Sequence, residues 1–208
     1  MSKIKLTKGE LKKQRDSLKQ FRRYLPTLIL KKQQLQMKIL EVRKAWEERL
    51  QILREKEKNI LLWVGLLAEE NIPWKEWLTP VSISTSKMNI AGANVPIFEE
   101  VQLKDPQYDF FAMPFWVDGA VKTFQIFVET LVEIEIIKQQ LAILEKELRI
   151  TTQRVNLFEK VKIPESLENI RKIRIYLGDQ MANAVGIGKV AKKKVEQKNV
   201  QIFEEVLI

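Results

Sequence analysis

Two residue types that carry much of enzyme chemistry are absent from this chain of 208 residues, which has no histidine and no cysteine. Without cysteine there is neither a disulfide nor thiol chemistry. Without histidine the commonest metal ligand and the commonest general base are both missing. The sequence also lacks the G-x-x-x-x-G-K-[ST] loop that cradles phosphates. We therefore predict no catalytic residue, no bound cofactor, no metal site and no enzymatic activity for the chain by itself.

Long hydrophobic runs are missing too. The longest apolar run, Ile60 to Ala68, falls far short of the ~20 residues that a membrane-spanning helix needs. Residues Met1 to Leu6 lack the apolar stretch of a signal peptide. We expect a soluble, cytoplasmic protein.

Charge and heptad-spaced apolar residues are abundant. Charged residues make up 30% of the chain, which suits long solvated helices better than a globule. A heptad pattern runs from Thr7 to about Glu70, and its a positions are Leu11, Leu18, Leu25, Lys32, Ile39, Trp46, Leu53, Ile60 and Leu67. The d positions, three residues after each, are apolar through the middle of the segment. An apolar seam of this length predicts one coiled-coil helix with a left-handed supercoil.

Local signals mark the two ends of this first helix. Thr7 is the predicted N-cap, and Glu10 completes a capping box with it. Pro26 lies at a b position, so its ring faces away from the seam and is expected to kink the helix without disturbing the packing. The helix is predicted to end near Asn71, just before Pro73.

The segment 73–117 differs in character because it holds five of the seven prolines, which exclude a long helix. Residues 81–86 alternate between apolar or β-branched side chains and serine, the pattern of a half-buried strand. Gly92 marks a turn, and residues 95–103 can return as a second strand. A β-hairpin is therefore predicted.

Aromatic residues are concentrated in the same segment: Trp74, Trp77, Phe98, Tyr108, Phe110, Phe111, Phe115 and Trp116. Such a cluster most often forms a small local core. The alternative is an exposed docking surface for a partner protein.

A second long helix is predicted to begin near Asp118, which is a good N-cap residue. Its heptad seam is Ile134, Ile137, Leu141, Leu144, Leu148, Thr151, Val155 and Phe158. Pro164 is predicted to interrupt it. The apolar spacing then resumes at Leu167, Ile170, Ile173 and Leu177. A lysine-rich stretch, 189–198, and an apolar tail, 200–208, follow, and the tail is open to a strand, a helix or disorder.

These elements predict a mainly α fold, in which a long antiparallel two-helix coiled coil carries a small β-hairpin-containing insert at one end. The expected organisation is a single structural domain with an N-terminal coiled-coil helix (1–72), the insert (73–117), a C-terminal coiled-coil helix broken at Pro164 (118–199) and a tail (200–208). If helices ending near residue 71 and starting near residue 118 pair without a shift, Pro26 and Pro164 lie at one level, within roughly 15 Å of each other.

The net charge of +9 is concentrated at the two ends of the chain. Residues 1–25 hold nine Lys or Arg against two acids, and residues 150–200 hold eleven against five. Basic ends of this kind bind nucleic acid or an acidic protein surface. The simpler interpretation is that they are solvated helix ends.

Several segments in the same order resemble one family. Residues 7–11, Thr-Lys-Gly-Glu-Leu, resemble a T-K-x-E-L opening. Residues 89–96 resemble an N-x-x-G-x-x-V-P hairpin, and residues 154–164 resemble R-V-N-A-L-E followed by I-P. Residues 25–36 resemble the version found in some bacterial members. The set is similar to the D subunit of V-type (A/V-type) rotary ATP synthases, which is the rotor subunit of the central stalk.

This resemblance implies a non-catalytic rotor shaft that couples ATP synthesis or hydrolysis in a hexamer to ion translocation by a membrane ring. The implied partners are the catalytic and regulatory nucleotide-binding subunits of that hexamer, the small F subunit of the stalk and the adaptor subunit on the membrane ring. The implied location is cytoplasmic and peripheral to the membrane, with no membrane insertion and no nucleic acid bound.

Two sets of contact residues follow as predictions. The candidates for contact with the hexamer are Lys12, Arg15, Arg22, Arg23, Lys189, Lys192 and Lys193. The candidates for docking a stalk partner are Ile83, Met88, Ile90, Val95, Ile97 and Phe98. The alternative to the shaft is a free-standing coiled-coil scaffold or a basic nucleic-acid-binding arm, whose affinity for DNA or RNA would fall steeply with salt.

Overall fold

The computed structural model describes residues 4–68, 72–109 and 113–206. Its elements in chain order are α1 (Lys8–Leu61), a 3₁₀ segment (Val64–Ala68), α2 (Trp74–Trp77), β1 (Pro80–Ile90), β2 (Ala93–Leu103), α3 (Val117–Asn156), a π-helical segment (Leu157–Lys162) and α4 (Ile163–Val206). β1 and β2 pair antiparallel as a two-stranded sheet. The predicted mainly α fold with a β-hairpin insert is confirmed.

The burial of α1 follows the predicted seam. The hydroxyl of Thr7 accepts a hydrogen bond from the backbone N–H of Glu10 at 3.3 Å, so Thr7 is the cap. Every a and d position from Leu11 to Ile60 is buried or half-buried except Arg49. The helix continues through Pro26, which is exposed on the outer face.

The end of α1 comes earlier than predicted, at Leu61 instead of near residue 71. The backbone N–H of Trp63 donates to the carbonyl of Ile60 at 3.1 Å, and that of Leu66 donates to Trp63 at 3.0 Å. These three-residue spacings tighten the chain into the 3₁₀ segment. The ring of Trp63 packs edge-on against Phe124 at 5.4 Å between centroids, so tertiary packing overrides the helical pattern. Residues 69–71 lie outside the described residues.

Contacts divide the chain into two units, and the larger one comprises residues 29–153. Within it α1 and α3 run antiparallel, because Lys31 pairs with Glu147 at 2.7 Å and Arg49 pairs with Glu133 at 3.0 Å. Its main core contains residues of both helices and of the hairpin: Leu35, Ile39, Val42, Ala93, Val95, Ile137 and Leu144. Strand β2 of the hairpin therefore packs against both helices of this unit.

The hairpin turns through Ala91 and Gly92, whose φ angles are 50° and 82°. Two successive positive φ angles belong to a type I′ turn, which matches the twist of the two strands. The side chain of Asn89 accepts from the N–H of Gly92 at 3.0 Å and closes the turn. Val81, Ile83 and Thr85 are exposed, which corrects the expectation of a half-buried face on the first strand. The helices cover β2 at Ala93 and Val95 instead.

The aromatic residues of the insert divide into two groups. Trp74 packs on Trp77 and Trp116 at 5.9 and 6.0 Å between ring centroids, and Tyr108 stacks on Trp77 at 5.1 Å. These rings form a local core with Ile72, Val117 and Val121. In contrast, Phe115 is fully exposed. The predicted members Phe110 and Phe111 lie outside the described residues.

The smaller unit comprises the described parts of residues 1–28 and 154–208. Its helices also run antiparallel, since Phe21 packs on Phe158 at 5.2 Å and Asn169 donates to Gln14 at 3.5 Å. The predicted register would have placed residues near 168 and 175 opposite Phe21 and Gln14. These two contacts are therefore displaced by six to ten residues from the predicted register. Residues near 155 therefore lie opposite Pro26, and the expectation that Pro26 and Pro164 lie within roughly 15 Å of each other stays a prediction.

A π-helical segment of six residues, Leu157–Lys162, lies directly before Pro164. The N–H of Ile163 reaches back five residues to the carbonyl of Phe158, a wider turn that takes in one additional residue. Proline lacks the N–H that an α-helix needs, and here α4 continues through it. Beyond this segment Ser166 is buried at 4% exposure and Leu167 is 43% exposed, so Leu167 leaves the predicted seam.

The last part of α4 lacks packed neighbours among the described residues. All side chains from residue 178 to residue 197 are exposed. Gly178, Gly186 and Gly188 are accommodated within the helix, although glycine disfavours it. The backbone of the predicted tail is helical as far as Val206, and residues 207–208 lie outside the described residues.

Candidate partner-binding surfaces

The predicted docking residues of the hairpin divide by burial. Val95 is 1% exposed and Ile90 packs against the same core, so both serve the attachment of the hairpin. Ile97 and Phe98 are half-buried. Only Ile83 and Met88 are well exposed among the six.

The two long edges of the hairpin are not equivalent. On β2, the side-chain amide of Gln140 donates to the carbonyl of Pro96, which ties this strand to α3. On β1, Val81, Ile83 and Met88 are exposed. The side of the hairpin that remains available to another protein is therefore the β1 side.

The predicted basic residues lie on two parts of the smaller unit. Arg15 and Arg22 line a groove between α1 and α4. Lys12 and Arg23 are exposed on α1 outside the lining of that groove. The other three lie on the exposed part of α4: Lys189, Lys192 and Lys193. Of these, Lys192 approaches Glu196 at 3.8 Å, an exposed pair of little energetic weight.

A second apolar face on α1 was missed by the sequence reasoning. Its four members are Ile29, Leu30, Met37 and Leu40, and we call them the outer stripe. Met37 and Leu40 are each 65% exposed. At 100° per residue the stripe lies opposite the seam that contains Leu35 and Ile39. A helix with two opposed apolar faces is built to be covered on both, and a search for apolar spacing outside the heptad would have found it.

A third apolar surface lies where α1 meets the insert. Its exposed members are Leu61, Leu62, Val64, Leu66 and Phe115, and we call it the helix-end patch. A shallow cavity of about 320 Å³ beside it is lined by Leu66, Trp116 and Gly119, among others. Clustered exposed apolar side chains of this kind mark protein contacts. The sequence signal is the apolar run 60–68, which the heptad pattern assigns to the helix seam.

Two hydrogen bonds between ionisable side chains lie in the insert and at its junction with α3. The hydroxyl of Tyr108 donates to the carboxylate of Asp118 in the first turn of α3. This hydrogen bond, with burial and the charge of Asp118, raises the pKa of Tyr108 to about 12. Lys104 donates to Glu76, and this hydrogen bond lowers the pKa of the Glu76 carboxyl. Both contacts hold the connection between the hairpin and the helices in place.

The described residues contain no group of three or more side chains suited to hold a metal ion. Across the same residues, none of the helices combines the length and the hydropathy that a bilayer crossing requires. The paired long helices display apolar and basic surfaces, which are typical of the class of proteins that bind other proteins.

Comparison with known proteins shows which family within that class the chain belongs to. The sequence matches the model of the ATP synthase D-subunit family over residues 10–193. It is 45% identical over 199 residues to the V-type ATP synthase D subunit of Borreliella burgdorferi, covering 96% of this chain and 98% of that relative. It is 34% identical over 202 residues to the D subunit of Chlamydia felis, covering 95% and 96%. The chain belongs to the ATP synthase D-subunit family and is part of a V-type ATP synthase complex.

Proposed function

We propose that the chain is the non-catalytic central rotor shaft of a V-type ATP synthase or ATPase. In this role it couples ATP synthesis or hydrolysis in a hexamer of nucleotide-binding subunits to ion translocation by a membrane ring. The observation that carries the proposal is the seam of α1, in which the predicted heptad positions from Leu11 to Ile60 are buried or half-buried except Arg49. Two helices packed as a coiled coil transmit torque because they resist bending and twisting better than one.

The ends of the chain support contact with the hexamer. α4 continues past Leu177 with every described side chain exposed through residue 197. Exposed apolar residues lie there at Val185 and Ile187 and, among the lysines, at Val190 and Val195. An isolated helix of this composition gains little stability in water. We propose that it is enclosed by the catalytic and regulatory subunits, with Lys189, Lys192 and Lys193 among the contacts.

The apolar surfaces of the larger unit support contact with stalk partners. We propose that the helix-end patch docks on the adaptor protein of the membrane ring, because it is the apolar surface nearest the connection of α1 to the insert. The outer stripe and the exposed β1 residues Ile83 and Met88 then remain for the small F subunit of the stalk. We propose accordingly that the chain lies on the cytoplasmic side, peripheral to the membrane.

The proposal is tested by purification of the tagged full-length chain from its own cells under gentle conditions. We expect a nucleotide-hydrolysing hexamer and a small partner protein to co-purify with it. Substitution of Met37 and Leu40 by serine is expected to release the small partner while the hexamer stays bound. The matched control replaces Ile52 and Ile126, which are exposed apolar residues outside the three surfaces.

Isolation of the chain as a lone monomer or a self-dimer would refute the shaft. The nucleic-acid alternative predicts that the free chain binds duplex DNA with an affinity that falls steeply with salt. Absence of such binding at low ionic strength removes that alternative. Both measurements use the same purified chain.

A further inference from the structure

A groove between α1 and α4 in the smaller unit brings four cationic side chains together. Arg15, Lys19 and Arg22 come from α1, and Arg174 comes from α4. The groove has a volume of about 370 Å³ and is open to solvent. Its apolar floor is formed by Leu18, Leu167 and Ile170. No carboxylate is among the described residues that line it.

The four cations repel one another. Arg15 and Lys19 are four residues apart and Lys19 and Arg22 are three apart, which places them side by side on one helix face. None of the four forms an ion pair with another of the described residues. Like charges at these spacings destabilise a helix. The mutual repulsion of the cluster therefore disfavours folding, and a negatively charged ligand would relieve it.

The apolar floor of the groove restricts the class of ligand that can fill it. The π-helical segment sets the rotation of α4 so that Ser166 faces the seam, and Leu167 is left 43% exposed in the groove. A phosphate or another small anion would bind to the cations and leave this apolar floor exposed to water. A polypeptide segment covers both parts, because an apolar side chain can lie on the floor while flanking carboxylates reach the guanidinium groups.

We infer that this groove binds an acidic segment of a partner polypeptide, with an apolar side chain on Leu18, Leu167 and Ile170 and carboxylates on the surrounding cations. The inference rests on the proposed function in one respect, since it places the segment on another protein of the ATP synthase complex. It adds the chemistry of the contact and the residues that make it.

The experiment maps what lies over Leu167 in the native complex. A benzoylphenylalanine replaces Leu167, which keeps all four cations, and a second variant carries it at Ile175, an exposed apolar position of α4 outside the groove. After irradiation of the purified complex, mass spectrometry identifies the attached segment. We expect the Leu167 position to attach to a segment rich in Asp and Glu and the Ile175 position to attach elsewhere.

Charge variants then separate the groove from general charge effects. R15Q/R22Q/R174Q is expected to lower the yield of the Leu167 product about tenfold or more. K8Q/K13Q/R171Q removes the same number of positive charges from exposed positions outside the groove and is expected to leave the yield unchanged. Equal losses in the two variants would contradict the inference.

Three outcomes overturn the inference while the complex remains intact. The first two are attachment of Leu167 to a segment without acidic residues and the absence of any product at Leu167. The third is that the free chain binds pyrophosphate and that R15Q/R22Q/R174Q abolishes this binding without changing the yield of attachment at Leu167. Each leaves the proposed function standing. Failure of the chain to co-purify with nucleotide-binding subunits is a different result and refutes the proposed function instead.

Discussion

At the scale of single residues, Gly92 and Gly119 differ in backbone conformation, and only the conformation of Gly92 disfavours a side chain. Gly92 has a φ of 82° in the hairpin turn, whereas Gly119 lies in the first turns of α3 with open space around it. A Cβ at residue 92 would meet only the Lys31 ammonium at 3.5 Å, which is an ordinary contact. Any loss of stability caused by a side chain at residue 92 therefore arises from the positive φ angle and not from a steric clash.

We predict that Gly92→Ala lowers the free energy of unfolding by about 1 kcal/mol, because L-residues disfavour positive φ. Gly119→Ala is the matched control and is expected to raise it by up to about 1 kcal/mol through helix propensity. Urea unfolding monitored by circular dichroism measures both changes. A neutral Gly92→Ala would show that the turn relaxes to another geometry.

Tyr108 makes stability depend on pH at the alkaline end. Its pKa is raised to about 12 from 10.0 because its hydroxyl donates to Asp118. The neutral phenol is thus favoured by the folded state. The stabilisation is fully present below pH 10 and is lost as pH rises through about 12.

We predict that a spectroscopic titration of the folded chain shows one of its three tyrosines ionising late. Tyr108→Phe should remove that late component and reduce the fall in stability between pH 10 and 12. Tyr24→Phe, at an exposed position, should leave both features unchanged. Loss of the late component in Tyr24→Phe would show that the assignment to Tyr108 is wrong.

At the scale of elements, the π-helical segment Leu157–Lys162 accommodates one additional residue in the seam. The buried positions Val155 and Ser166 are eleven residues apart, one more than the ten that the alternating three- and four-residue spacing of the seam would give. Past this point Ile170 and Ile173 are buried again. The π-helical segment therefore keeps the apolar face of α4 that contains Ile170 and Ile173 packed against α1.

We predict that deletion of Lys160, an exposed residue of this segment, converts it to α-helix and keeps Ser166, Ile170 and Ile173 in the seam. The expected thermal stability equals or exceeds that of the natural chain. Deletion of Lys172, an exposed residue within regular α4, is the control and should lower stability, because it rotates every later seam residue by about 100°. Equal damage from both deletions would refute the role assigned to the π-helical segment.

At the scale of the whole molecule, the hairpin is part of the core of the larger unit. Ala93 and Val95 are buried against Leu35, Ile39 and Val42 of α1. The sequence places the heptad seam outside the insert, which suggests that the helices would pair without it. The structure indicates that removal of the hairpin exposes the apolar centre of the pair.

We predict that replacement of residues 80–103 by a short Gly-Ser linker lowers the stability of the full chain by on the order of 3 kcal/mol, from the apolar area it exposes. Helix content should largely remain, since the ion pairs of α1 with α3 lie outside the hairpin. Calorimetry and circular dichroism measure the two effects. The control is Val81→Ser with Ile83→Ser on the exposed side of β1, where a change within about 0.5 kcal/mol is expected. An unchanged melting temperature after the deletion would show that the hairpin does not support the core.

Elements whose cause is local or periodic can be predicted from the residues alone. The Thr7 cap depends on one hydroxyl, the α1 seam on a repeat of seven and the hairpin turn on Gly92, and each is present in the structure. The absence of histidine and cysteine favours work through protein contacts over catalysis. The order of the motifs along the chain is enough to indicate the family.

Tertiary structure alone decided where these elements meet. Packing of Trp63 on Phe124 accompanies the end of α1 ten residues before the pattern predicted, and the helices of the smaller unit pair six to ten residues away from the predicted register. The register then brought Arg174 beside Arg15 and Arg22 in one groove. Burial of Val95 and exposure of Leu167 likewise follow from how neighbouring elements pack. A periodic pattern fixes which face of a helix is apolar, whereas only the packed neighbours fix what covers that face.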